Sequence, residues 1–415
     1  VREKKIIVIG GGASGMMAAG EAAKLGAAVS VYEKNDRFGR KLFITGKGRC
    51  NLTNARGPEE MLEHISANRR FLYSAFYAFG SRELMDFFEN LGVPLVVERG
   101  GRVFPRSGKS GDIVRALERH MSENGVERRL NSEVLSVKTD GGKAAGIFTK
   151  SGFAPADAVI VATGGLSYPA TGSTGDGYRF AREAGHRVTE LSPALTPLVT
   201  REKWVSGLMG LSLRNVGVKV VIEGLKVYED FGEMVFTHFG VSGPVVLPAG
   251  RAMTGRYAKA PVLSIDLKPA LGEEQLDRRI LRDFGKYANK DIKNAMADLL
   301  PRRLIPVIIE RAGIDAGKKA CEITRSERKA LGKALKSLDL TITGGAGYNE
   351  AVVTSGGVAV AEVNPATMES RLVKGLYFTG EVLDVDALTG GYNLQTAFST
   401  GWAAGRAAGR PAAER

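Results

Sequence analysis

The chain has 415 residues, 44% of them hydrophobic, and carries 58 Lys and Arg against 45 Asp and Glu, a net charge of +13. Such a chain can bury ample core in two or three domains and reads as an ordinary soluble globular protein, with a basic surplus that either favours polyanions such as RNA, DNA or acidic membrane surfaces or serves solubility alone. No apolar run reaches a membrane span, the first strand begins too close to Val1 for a signal peptide, and Cys50 and Cys321 form neither a disulfide framework nor a metal spacing, so the cytoplasm, no membrane and no metal are expected.

Lys5-Ile6-Ile7-Val8-Ile9 predicts a strand that breaks into Gly10-Gly11-Gly12-Ala13-Ser14-Gly15, followed by a helix over 14–25 and a strand over 28–33 that ends at Glu33, with Lys34 next. In that order Gly10 permits a tight turn, Gly12 lets backbone approach a pyrophosphate, and Gly15 lets the helix pack against the strand. The helix N-terminus then faces phosphates, and Glu33 is placed to accept from a ribose diol. A glycine-rich turn alone is a weak signal; the strand, helix and acidic residue around it point to a dinucleotide. A long loop follows, then helices around 69–91 and 110–123, the second with Ile113, Val114, Leu117 and Met121 on one stripe. A strand over 157–163 ends in Ala162-Thr163-Gly164-Gly165, where the chain must pass close to a cofactor or another backbone. This alternation is the order of a doubly wound α/β sheet.

Between 191 and 267 the pattern changes to period two, with Val216, Val218, Val220 and Ile222 on one face and Gly224 and Gly232 at hairpin-like turns, which predicts an inserted antiparallel β domain. Residues 268–337 read as a small helical domain in which seventeen Lys and Arg face ten Asp and Glu, about half of the whole surplus. Arg278, Arg279, Arg282, Lys286, Lys290, Lys293, Arg302 and Arg303 are its candidate contacts to the phosphates of structured RNA, or else solvated helix faces. A strand over 375–379, a helix from near Tyr392 and a frayed tail from Gly405 to Arg415 close the chain.

Thr174-Gly175-Asp176-Gly177, like the Ala-Thr-Gly-Gly before it, has the form of the second nucleotide-binding stretch of many FAD enzymes. Gly380-Glu381 follows a strand and Gly390-Gly391-Tyr392-Asn393-Leu394 opens a helix, whose N-terminus can stabilise negative charge on a reduced flavin. The most specific text is Gly39-Arg40-Lys41-Leu42-Phe43-Ile44-Thr45-Gly46-Lys47-Gly48-Arg49-Cys50-Asn51-Leu52-Thr53-Asn54. With these motifs, Thr237-His238-Phe239-Gly240-Val241-Ser242-Gly243-Pro244 and Thr354-Ser355-Gly356-Gly357-Val358, the chain resembles the BaiN/RdsA family of NAD(P)/FAD-dependent oxidoreductases, also called aminoacetone-oxidase-like flavoproteins. The marks run in order from residue 5 to about 405, with Lys47 standing where a small or polar residue is expected.

The resemblance implies a Rossmann-like doubly wound FAD-binding domain over 1–190 and 338–410, interrupted by an antiparallel β domain over 191–267 and a helical domain over 268–337, with the substrate cleft between them. It places FAD contacts on Gly10, Gly12, Ala13, Ser14, Gly15, Glu33, Lys34, Arg40, Lys41, Gly48, Arg49, Cys50, Asn51, Ala162, Thr163, Gly164, Gly165, Asp176, Gly380, Glu381, Gly391, Tyr392, Asn393 and Leu394. A second Gly-x-Gly-x-x-Gly and a Cys-x-x-Cys are both missing, so NAD(P)H is expected to bind transiently at the flavin, or another reductant serves.

Its implied chemistry is reduction of a carbon–carbon double bond conjugated to a carbonyl, by hydride from flavin N5 to the β carbon and a proton to the α carbon. Uridine in ribosomal RNA, giving dihydrouridine, is the favoured substrate. A small-molecule enone or steroid reductase or amine oxidase is the alternative, and a non-catalytic flavin redox sensor the third. Cys50 and His238 are the candidate proton donors; Cys50 reads equally as a packing cysteine and His238 as a structural histidine. His64, His120 and His186 carry no motif and read as structural.

Overall fold

The computed structural model describes residues 3–253 and 256–411, in two compact units, Val1–Pro193 with Tyr348–Arg415 and Ala194–Gly347. The first unit is built on a five-stranded parallel sheet whose spatial order is Leu376–Phe378, Ala158–Val161, Lys5–Ile9, Ala28–Tyr32 and Glu127–Arg129. Ile6 to Ile9 and Ala158 to Val161 are buried, as apolar runs covered on both faces must be. From the central strand the chain winds first to Ala28–Tyr32 on one side and later to Ala158–Val161 on the other. The strand order therefore reverses beside Lys5–Ile9, where open α/β sheets bind ligands at the C-terminal strand ends.

Helix Ala13–Ala23 and the C-terminal helix Tyr392–Gly409 lie in close contact along a seam of glycines. A Cβ on Gly401, Gly405 or Gly409 would stand 2.4, 2.4 and 2.8 Å from the carbonyl oxygens of Ser14, Ala18 and Ala22. Backbone thus meets backbone every fourth residue. Helix Ser110–Glu123 buries the expected stripe of Ile113, Val114, Leu117 and Met121.

Several elements differ from the sequence reading. The long loop contains helix Arg40–Gly48, broken by non-helical backbone at Thr45, Gly46 and Lys47, and helix Pro58–Glu63. A three-stranded antiparallel sheet, Val134–Asp140, Lys143–Thr149 and Gly152–Pro155, precedes the Ala158–Val161 strand. The expected frayed tail is helical as far as Gly409, because the glycine seam docks it on the first helix; residues 412–415 lie outside the described residues.

In the second unit, strands Leu198–Thr200, Ser212–Ile222, Leu225–Phe236, Gly240–Ser242, Val262–Asp266 and Leu338–Gly345 close into a barrel. Leu338–Gly345 pairs with both Val262–Asp266 and Leu198–Thr200, so residues 338–347 belong to the barrel unit and not to the sheet unit expected from position 338. The helices Glu273–Lys286, Ile292–Ala295, Ile305–Arg311 and Arg325–Lys336 share one hydrophobic core with the barrel; barrel and helices make a single unit rather than two domains. Val216, Val218, Val220 and Ile222 point into that core. Gly224 forms the hairpin turn, whereas Gly232 lies within a strand opposite Val216, at a bulge where a Cβ would press on Val245 at 2.9 Å. Among the described residues no helix is long and apolar enough to cross a membrane, and no cluster of His, Cys, Asp and Glu could hold a metal.

Candidate functional site

The C-terminal ends of the central strands open into a cavity of about 370 Å³ within the first unit. Of the residues expected from the sequence as cofactor contacts, Gly10, Gly12, Ala13, Ser14, Glu33, Lys34, Arg40, Lys41, Asn51, Ala162, Thr163, Gly164, Asp176, Glu381, Gly391, Asn393 and Leu394 line it. Gly10 has φ of +100°, and a Cβ there would meet the Ala162 carbonyl oxygen at 2.6 Å, so only glycine lets the turn pass the neighbouring strand. A Cβ on Gly15 would stand 1.9 Å from the Gly10 oxygen. By contrast a Cβ on Gly12 would meet nothing within 4 Å. The second glycine faces the cavity.

Glu33 braces the glycine turn. Its Oε2 accepts from the Gly11 N–H at 2.8 Å, and its Oε1 accepts from the backbone and side-chain amides of Asn35 at 2.8 and 2.7 Å. A carboxylate has about four acceptor positions, so one is left for a ligand hydroxyl. Further round the wall, Lys34 Nζ lies 2.7 Å from Asp176 Oδ2, and Lys41 Nζ lies 2.7 Å from Glu381 Oε2. Burial pushes the Asp176 carboxyl up, but hydrogen bonds from Lys34 and Thr174 outweigh it and hold the group below its ordinary value. Asn51, with its amide nitrogen donating to the Thr53 and Val103 carbonyls, accepts from the Gly391 N–H at 3.0 Å and so ties the specific loop to the last helix.

Gly15, Gly48, Arg49, Cys50, Gly165, Gly380 and Tyr392 do not line the cavity. Gly15 and Gly380 are packing positions, the latter against Ser14. The Arg49 guanidinium sits 4.2 Å from the centre of the Phe104 ring and pairs with Glu98, while Tyr392 is buried and stacks on His64 at 4.5 Å. Cys50 is fully buried, in a left-handed conformation (φ +58°), and burial pushes its thiol up to about 12. His238 lies in the second unit, exposed between strands Leu225–Phe236 and Gly240–Ser242, its ring 4.7 Å edge-on to Phe239. His120 and His186 are buried, and His64 bonds the Glu60 carbonyl and Arg56.

Other lining residues escaped the sequence reading: Asn35, Ser132 to Val134, Thr171 to Ser173, and Val352 with Val353. Thr45 and Gly46, also in the wall, were within the specific loop. The remainder come from turns and strand starts with no motif of their own, brought in by tertiary packing.

The local structure fits FAD. Helix Ala13–Ala23 starts from extended Gly12 with no side-chain cap and no acidic residue in its first turn, and helix Tyr392–Gly409 also starts without either. Both N-termini reach the cavity, at Gly12 to Ser14 and at Gly391, Asn393 and Leu394, where Arg40, bonded to the neutral Asn35 side chain, adds positive charge; Lys34 and Lys41 are paired with Asp176 and Glu381. Free amides, two positive helix ends and an acceptor for a ribose suit a dinucleotide diphosphate and an electron-rich ring system. Bound there, FAD supplies two-electron redox chemistry.

Fold and site together define an FAD-dependent oxidoreductase. Residues 4–407 match the HI0933-like protein Rossmann domain, and the chain belongs to that family. It is 34% identical to a 3-dehydro-bile acid delta(4,6)-reductase of Clostridium scindens, over 97% of this chain and 98% of that one. It is 32% identical to a ribosomal RNA dihydrouridine synthase of Haemophilus influenzae, over 96% of each chain, and 31% identical to that of Escherichia coli, again over 96% of each. Among solved structures, 3-ketosteroid delta1-dehydrogenase from Sterolibacterium denitrificans superposes with a TM-score of 0.54 over 96% of this chain and 98% of that one; at 14% identity the likeness is one of fold alone. Membership in an oxidoreductase family sets aside the reading as a non-catalytic redox sensor.

Proposed function

We propose that the protein reduces a carbon–carbon double bond conjugated to a carbonyl, with uridine in ribosomal RNA as its substrate and NAD(P)H as a transient electron donor. The observation that carries this reading is the near full-length similarity to two ribosomal RNA dihydrouridine synthases, joined to a cavity built for FAD. The bile-acid reductase similarity supports the same reaction class on a small enone, which is the second reading.

Of the two proton-donor candidates, His238 is favoured. Its ring is exposed, whereas the Cys50 thiol is buried and, pushed up to about 12, a weak acid. The basic helices lend the RNA reading less than their count suggests. Arg279 and Arg282 pair with Asp283, Lys286 with Asp298 and Lys293 with Asp291, and Arg303 is held by the Gly207 and Met209 carbonyls. Arg278, Lys290 and Arg302 remain exposed, and the Lys290 ammonium lies 4.7 Å from the centre of the Tyr287 ring.

The test is anaerobic mixing of the reduced, FAD-loaded protein with uridine-containing ribosomal RNA or with a steroid enone. Flavin reoxidation by the RNA, with dihydrouridine formed, supports the first reading. Reoxidation by the enone alone moves the assignment to the second.

A further inference from the structure

Residues Arg69-Arg70-Phe71-Leu72-Tyr73-Ser74-Ala75-Phe76-Tyr77 form a 3-10 turn, Arg69–Leu72, that runs directly into helix Tyr73–Ala78. Phe71, Leu72, Ala75 and Phe76 are buried and fix the segment to the first unit. Tyr73 and Tyr77, four apart, share the outward face and are 48% and 55% exposed. Two large aromatic side chains side by side in solvent are uncommon unless something covers them. Their rings are parallel within 10°, with centroids 6.1 Å apart, and the Tyr77 hydroxyl donates to Glu59 Oε1 at 2.9 Å, which restrains the ring. Arg69 and Arg70 are exposed, and among the described residues no acidic group pairs with either.

This patch is tied to the cavity wall. The Ser66 N–H donates to the Asp386 carbonyl at 2.8 Å, and Asn68, left-handed at φ +53°, donates from Nδ2 to the Asp384 carbonyl at 2.6 Å. Val385, between those two carbonyls, lines the cavity. At a rise of about 2.0 Å per residue in the 3-10 turn and about 1.5 Å in the helix, Arg69 to Tyr77 spans about 14 Å.

We propose that Tyr73 and Tyr77, with Arg69 and Arg70, form a docking platform for unpaired nucleotides of the RNA substrate, beside the flavin cavity. The proposal rests on the RNA reading above. Bases stack on the tyrosine faces whatever their sequence, and the unpaired guanidinium groups take phosphates. Glu59 at the Tyr77 end repels phosphate, so the backbone follows the arginine end, nearer the wall. A protein partner would also find tyrosine and arginine attractive, but exposed cations about one helical turn from two half-exposed tyrosine rings are complementary to a single-stranded polyanion that carries π-faces.

The test is fluorescence anisotropy of the full-length, FAD-loaded protein with labelled oligouridine, single-stranded and in duplex with oligoadenosine, at low and moderate salt. Y73A/Y77A is expected to weaken single-strand binding at least about tenfold, while Y73F/Y77F retains it, because stacking needs the ring and not the hydroxyl. R69A/R70A is expected to lower the salt slope by about 1.4, at about 0.7 per phosphate on a single strand. All four side chains are exposed, and flavin absorbance checks that each variant is loaded. Unchanged affinity in Y73A/Y77A, or equal losses on single strand and duplex, overturns the platform; if the wild type still forms dihydrouridine, the functional reading stands without it. A wild type that neither binds oligouridine nor forms dihydrouridine overturns both.

Discussion

Lys41 Nζ lies 2.7 Å from Glu381 Oε2, closing a pair across 340 positions of sequence on the wall of the flavin cavity. Glu381 Oε1 also accepts from the Thr354 N–H at 2.9 Å, so the carboxylate, in the turn after the last sheet strand, links the specific loop to strand Val353–Ser355. Both side chains are about four-fifths buried, which makes an unpaired partner costly. Lys41→Met is expected to weaken FAD binding about tenfold, and Lys41→Met/Glu381→Gln to recover part of the loss. Flavin fluorescence titration of the apoprotein reads both.

The glycines separate cavity from packing. Gly12→Ala places a methyl in open space at a φ of −84° that alanine accepts, so the apoprotein should keep its melting temperature while FAD affinity falls. Gly405→Ala drives a methyl toward the Ala18 carbonyl at 2.4 Å and should lower the melting temperature, at a cost of about 1–3 kcal/mol for overpacking. Calorimetry of the two apoproteins checks the contrast; equal losses would contradict it.

Those two glycines also show what the sequence made legible. Strand, glycine turn, helix and Glu33 are close in sequence, and local steric need dictates them, so Gly10, Gly12 and Gly15 could be assigned roles from spacing alone. The every-fourth-residue glycines of the last helix were equally visible, but their meaning depends on the distant helix that they meet. For the same reason Leu338–Gly345 was placed with the wrong unit, since its strand partners lie at 198–200 and 262–266. Asn35 and Ser132 to Val134 reach the cavity only because Glu127–Arg129 pairs beside Ala28–Tyr32 and, in the turn after it, the Asn131 and Ser132 N–H groups donate to the Asn35 and Glu33 carbonyls.

The cysteines should behave oppositely. Cys321 is exposed, whereas Cys50 is buried with its thiol pushed up to about 12. Iodoacetamide at mildly alkaline pH is expected to label Cys321 alone in the native protein and both after denaturation, because the thiolate is the reactive form. Cys50→Ala is expected to leave turnover within about twofold, and His238→Gln to lower it by about a hundredfold if the imidazole donates the proton. Steady-state assays with the RNA substrate discriminate the two.

His186 gives a pH signature. It is buried, with Nε2 2.7 Å from Ser370 Oγ and Nδ1 3.2 Å from Glu362 Oε2. Burial lowers its pKa from 6.5, and the Glu362 charge opposes this only in part. The unfolded chain therefore takes up the proton first as pH falls. Stability is fully present above about pH 6.5 and is lost as pH drops through that value toward the lower folded pKa. Urea midpoints should decline across this window, and His186→Gln should flatten the decline. An undiminished slope in the variant would assign it to another group.

The most direct test of uridine as the substrate is the dihydrouridine content of ribosomal RNA, by nucleoside mass spectrometry, from cells with and without this gene. Loss in the deletion, restored by the wild-type chain and not by Gly12→Ala, is the expected result. Unchanged dihydrouridine in the deletion would contradict RNA as the substrate and leave the small-enone reading in its place.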